Sequence, residues 1–150
     1  MKKNIGKKVY ELVKVGNWSY VINKEKTYTI VGFKDYDEVD DHNPHYIIKD
    51  DEGNEKELLD YEVVFCPNDE YNGDEKIYHY LQDNGIYGEV YTNSEGEVEV
   101  EIDWGDWKHD HGWCATLMGY LGYVQDDVVV TEDNGSDCYS ARHYYAKANA

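Results

Sequence analysis

The run EVEVEIDW at positions 97–104 constrains the fold more than any other stretch of this chain. Successive side chains of a β-strand point to opposite faces. Val98, Val100, Ile102 and Trp104 therefore share one face, and Glu97, Glu99, Glu101 and Asp103 share the other. A half-buried antiparallel strand follows, with its acidic side turned to solvent. Asn93-Ser94-Glu95-Gly96 supplies a turn, and residues 87–92 supply the strand before it, so the pair reads as a hairpin.

The rest of the second half builds around that hairpin. Asp74 is placed to cap a helix over residues 75–83, with Ile77 and Leu81 on one side and Gly85 as its stop. A second helix is expected over 110–121, where Trp113, Leu117 and Leu121 recur every four residues beside Cys114 and Met118. Gly112 and Gly119 weaken that helix from within. A last hairpin, 128–131 with 138–145, turns at Asn134-Gly135. The order α-β-β-α-β-β suits a four-stranded antiparallel sheet with two helices on one face, an α+β layer over residues 75–150. It equals a circular permutation of the ferredoxin-like order.

Residues 1–66 read instead as short strands, at 9–14, 20–22, 27–34, 45–49, 57–59 and 63–66, with no helix. Asp50-Asp51-Glu52-Gly53-Asn54 makes a hairpin turn between two of them. The succession GKKVYEL, KTYTIVGF, HYIIKDDEGNEKEL and a short closing strand is similar to SH3-like barrels, and that resemblance implies a small β-barrel over 1–66. Pro67 to Gly73 combine breakers with charge, so 67–74 reads as a linker.

Charge separates the halves further. Residues 67–150 hold 4 basic and 18 acidic side chains, most of the chain's net −18. Such a field repels nucleic acid and anionic lipid and attracts basic surfaces. Direct nucleic-acid binding is not expected, and no apolar run is long enough for a membrane span. Lys2, Lys3, Lys7 and Lys8 imitate the start of a signal peptide, but no apolar region follows them. Three cysteines (Cys66, Cys114 and Cys138) form an odd, sparse set that fits a reducing compartment, so a cytoplasmic location is expected.

Two constellations could carry chemistry. The first is the carboxylate row Glu97, Glu99, Glu101 and Asp103, extended by Tyr87, Glu89 and Tyr91 from the neighbouring strand. Alternate strand residues stand about 6.7 Å apart, comparable with phosphates along a nucleic-acid strand. A surface evolved to hold a DNA backbone with Lys and Arg could hold this row by the same charge pairing. An ordinary solvent face gives the same alternation. The second gathers Asp106, His109, Asp110, His111 and Cys114, with Asp137, Cys138 and His143 near the end. His109, His111 and Cys114 are candidate metal ligands, although no spacing matches a known template. Cys138 and His143, five apart, would fall on opposite faces of a strand, and the surrounding acids oppose a reactive thiolate. No catalytic residue and no cofactor is assigned.

The stretch GDWKHDHGWC…TEDNGSDCYSARHYY, residues 105–145, resembles small uncharacterised proteins of phages and mobile elements. That resemblance implies an inhibitor of a host defence or repair enzyme, some such proteins imitating DNA, and it would place the chain in the host cytoplasm. The leading expectation is thus an acidic binding protein that occupies a basic, nucleic-acid-binding protein surface through Glu89, Glu97, Glu99, Glu101 and Asp103. Two other readings stay open: a non-mimic interaction or virion module, and a metal-dependent enzyme using a His/Asp/Cys site.

Overall fold

Alternation of apolar side chains along two separate sets of strands gives this chain two cores. The computed structural model describes residues 4–15, 19–35 and 44–148. Lys2 and Lys3 lie outside them. The chain divides into two compact units, Met1–Cys66 and Pro67–Ala150, within a mixed α+β fold that is mostly strand.

The first unit holds β1 (Lys8–Val15), β2 (Ser19–Lys34), β3 (His45–Lys49), β4 (Glu55–Leu59) and β5 (Val63–Phe65). They form one antiparallel sheet in the order β4-β3-β2-β1-β5. The two segments expected at 20–22 and 27–34 are one strand of 16 residues, irregular in register between Val9 and Glu11 of β1 and between Ile30 and Gly32. A 3-10 turn at Asp60–Glu62 leads into β5. Among the described residues the sheet does not close into the expected barrel: β4 and β5 are its two ends. Val9, Tyr28, Ile30, Tyr46, Ile48, Leu58, Val63 and Phe65 form its buried cluster. Between β3 and β4 the Asp50 carboxylate accepts the N–H groups of Glu52 and Asn54, both at 2.9 Å, and Lys26 Nζ at 3.2 Å. Those donors, Asn54 first, hold its carboxyl down at about 2.

The second unit runs α1 (Gly73–Asp83), β6 (Glu89–Thr92), β7 (Val98–Asp106), α2 (Trp113–Tyr120), β8 (Tyr123–Asp133) and β9 (Cys138–Lys147). Its antiparallel sheet has the order β6-β7-β9-β8, the one a circularly permuted ferredoxin-like chain gives. Val98, Val100 and Ile102 of β7 are buried with Ala141, His143 and Tyr145 of β9. Ile77, Tyr80 and Leu81 of α1 and Cys114, Leu117 and Met118 of α2 complete this core. The two helices meet where Tyr80 Oη donates to the Leu117 carbonyl at 2.9 Å, and Tyr145 Oη reaches Cys114 Sγ at 3.5 Å.

Three local expectations are corrected. Asp74 does not cap α1, whose N-cap is Asn72; its carboxylate instead accepts from the amide and hydroxyl of Thr92, tying the helix to β6. Trp104 does not join the core. The register slips between Ile102 and Gly105, Trp104 adopts φ +51°, and its ring is exposed. The second helix does not begin at Asp110: residues Trp107–Gly112 make a wide π-type turn first. Asp110 is used inside that turn, its Oδ2 accepting the Asp106 N–H at 2.7 Å.

Gly105 makes that turn possible. A Cβ there would stand 2.8 Å from Asp110 Cβ and 2.8 Å from Ile102 Cγ2. Gly105→Ala is therefore expected to lower unfolding stability by about 1–3 kcal/mol, read as a lower denaturation midpoint at unchanged slope. An unchanged midpoint would show that this contact yields without cost.

Candidate partner-binding face

The acidic row lies on the side of the second sheet away from α1 and α2. Glu89 of β6 is opposite Glu101 of β7, and Tyr91 is opposite Glu99. Across the other edge of β7, Glu99 is opposite Tyr144 and Glu101 opposite Arg142. Residues opposed in an antiparallel pair share a face. Glu89, Tyr91, Glu99, Glu101, Arg142 and Tyr144 therefore form one patch, which Asp127 and Val129 of β8 continue beside Tyr144 and Arg142.

Like charges set directly opposite each other destabilise a sheet. Two devices moderate this at Glu89 and Glu101. Tyr91 Oη donates to Glu89 Oε2 at 2.6 Å and lies 3.3 Å from Glu101 Oε2. The bond to Glu89, with burial and the two negative charges, pushes the tyrosine hydroxyl up to about 12, so it remains a donor. Arg142 Nε stands 3.7 Å from Glu101 Oε2, a distance at which attraction is partial and screened.

The five residues singled out from the sequence are not equivalent. Glu89, Glu99 and Glu101 stand on the registered ladder. Glu97 precedes β7 and is bound into the turn: its N–H donates to Asn93 Oδ1 at 3.0 Å, and Asn93 Nδ2 donates to its Oε1 at 3.4 Å. The neighbouring Asp126 carboxyl raises the pKa of Glu97. Asp103 is exposed within the β7 slip and off the ladder. Arg142 and Asp126 were not foreseen; the alternation of ARHYYA, with Ala141, His143 and Tyr145 buried, was the signal that placed Arg142 outward.

The metal candidates do not converge. His109 is exposed, while His111 and Cys114 are buried. Cys114 is pushed up to about 11 by burial, so its thiol is not a thiolate at neutral pH. Among the described residues no three His, Cys, Asp or Glu side chains are grouped to hold an ion. Both nitrogens of His111 are in use, Nε2 at 2.9 Å from the Tyr139 carbonyl and Nδ1 at 2.7 Å from His143 Nε2. His143 Nδ1 lies 3.0 Å from Gln125 Oε1.

A carbonyl only accepts, so His111 Nε2 carries a proton. Two arrangements then satisfy the chain. Either His143 donates from Nε2 and the Gln125 amide turns its NH2 toward Nδ1, or His143 donates from Nδ1 to Oε1 and accepts a second proton of His111. His143 is neutral in both, in keeping with a pKa lowered to about 4 by burial and by the His111 ring.

No family model, curated protein or solved structure matches this chain. Among the described residues no helix is long and apolar enough to cross a membrane.

His143 sets a pH dependence. Its folded pKa is about 4 against an ordinary 6.5. Between those values the unfolded chain takes up a proton that the folded chain refuses, so stability falls as pH drops from about 6.5 to about 4. The loss from this residue is at most about 3 kcal/mol, less whatever solvent screens. His143→Gln should show a shallower decline over that window in denaturant titrations at pH 7, 5.5 and 4.5. Equal declines would remove His143 from the account.

Proposed function

We propose that the second unit is an acidic binding module whose open sheet face occupies a basic, nucleic-acid-binding surface on another protein. A phage or mobile-element inhibitor of a host defence or repair protein, imitating DNA, is the form of this activity that we favour. The observation that carries the reading is the registered patch of Glu89, Glu99 and Glu101, with Arg142 as the cation set opposite the row. Rows two residues apart along β7 are about 6.7 Å apart and fixed by backbone pairing. The carboxylates are thus held in place before a partner arrives, which lowers the ordering cost of binding. Tyr91 and Tyr144 add apolar area and hydrogen-bonding groups between the charges. The reading assigns no catalytic residue.

A second reading is an interaction or virion module that docks through the first unit. The order β4-β3-β2-β1-β5 and the 3-10 turn before β5 support an SH3-like layout there, although the sheet is open. Under this reading the acidity of the second unit serves solubility.

The two are separated by charge removal. A protein captured by the wild type from the native host cell should itself bind duplex DNA, and duplex DNA should displace it. Replacing Glu97, Glu99 and Glu101 together by Gln should weaken that complex at least about tenfold, equivalent to about 1.4 kcal/mol, and flatten its salt dependence. Because Glu97 precedes the registered ladder and is held in the turn by Asn93, Glu97→Gln alone should cost less than Glu99→Gln. A folded triple variant that binds as tightly as the wild type contradicts the proposal and favours docking through the first unit.

A further inference from the structure

β8 is an edge strand built unlike the other edge of its sheet. β6, at the opposite end, has 4 residues, whereas β8 has 11 and pairs only with β9 among the described residues. A strand paired on one side presents N–H and C=O groups on the other, a template for another strand; in β8 the Val128 N–H donates to Asp127 Oδ1 at 2.8 Å, a contact that an added strand would displace. Edge strands are blunted by charged side chains, Pro, bulges or brevity; β8, YVQDDVVVTED, is long and has neither Lys nor Pro, and its acids and two register slips flank a central run of valines. Its register slips between Gln125 and Asp127 and again between Val130 and Glu132, which leaves Asp127 to Val130 as the regular stretch.

After Asp127, its three valines put apolar side chains on both faces. Val128 and Val130 are 40% and 51% exposed on the helix side, opposite His143 and Ala141, and Val129 is 45% exposed on the other side, opposite Arg142. Three consecutive half-exposed valines at an unpaired edge lack the alternation of a finished solvent edge. Acidic residues bracket them: Asp126 and Asp127 before, Glu132 and Asp133 after.

The bracketing selects the occupant. In a second copy paired antiparallel about Val129, Asp126 would fall beside Glu132 of that copy, and like charges across a pair are destabilising. A segment with an apolar centre and Lys or Arg on both flanks meets the valines with apolar side chains and the acids with opposite charge. We propose that β8 docks an extended basic-apolar-basic segment of a partner protein by strand addition, extending the sheet beyond β8. The inference does not rest on the carboxylate patch across β6, β7 and β9, since the contact is backbone pairing along the edge.

The test uses the full chain and synthetic peptides of sequence Lys-Arg-Val-Thr-Val-Ile-Lys-Arg. One form is unmodified, and two forms are N-methylated at alternate residues, in the two possible phases. All carry the same charge, but each methylated form loses the donors along one edge. The unmodified peptide should bind and slow amide hydrogen exchange within β8, and one methylated phase should bind at least about tenfold more weakly. Val128→Thr with Val130→Thr, which keeps β-branched residues at exposed positions, should weaken binding without changing the salt slope. The Glu97, Glu99 and Glu101 to Gln variant should still protect β8, so failure of the face proposal and failure of this one are distinguishable. The proposal is overturned if both methylated phases bind like the unmodified peptide, if protection falls on β6 and β7 instead, or if the free protein sediments as a dimer with β8 protected.

Discussion

The pairing of β7 with β6 on one side and β9 on the other is the constraint on which the second unit depends. Because both ladders are antiparallel and in register from Val98 to Glu101, and the one with β9 on to Ile102, the strand cannot rotate its side chains. A slip by one residue would drive Glu99 and Glu101 into the core and Val98, Val100 and Ile102 into water. Burial of those three against Tyr145, Ala141 and the helices therefore also fixes where the carboxylates point. The charge on the open face is held by the hydrophobic effect acting on the opposite face.

Electrostatics alone would not produce this arrangement. Glu89 and Glu101 stand directly opposite each other, and the pair is tolerated through Tyr91, which donates to Glu89, and through Arg142 at the edge of attraction. At the end of the row Glu97 is held in the turn by Asn93, and the neighbouring Asp126 carboxyl raises its pKa. The face thus runs from a patch moderated by tyrosine and arginine to a glutamate tied into the hairpin turn.

How much of this was legible in the sequence follows from the range of each interaction. The alternation over 98–102 is written into consecutive residues, so the strand, its two faces and the hairpin through Asn93 to Gly96 could be read directly. The element order of the second unit could be read for the same reason, each helix or strand having its own period. The end of β7 could not. Trp104 continues the alternation on paper, but Gly105 allows Asp110 to return against the strand, and the chain slips to accommodate it. Asp74 looked like a cap because the Thr92 groups that claim it are 18 residues away. The link from His111 to His143 joins residues 32 apart and required knowing that β9 pairs with β7. The length of β8 was hidden because its acids lack strand propensity and its pairing with β9 supplies what the local sequence does not.

The central claim, that the open face presents its carboxylates as an ordered surface for a cationic counterpart, is tested most directly by site-resolved NMR during titration with an oligoarginine peptide at low salt. The account requires early, saturable shifts concentrated at Glu89, Tyr91, Glu99, Glu101 and Tyr144, and their loss at high salt. Shifts spread evenly over all acidic residues, or centred on the loop from Asp133 to Asp137, would contradict it.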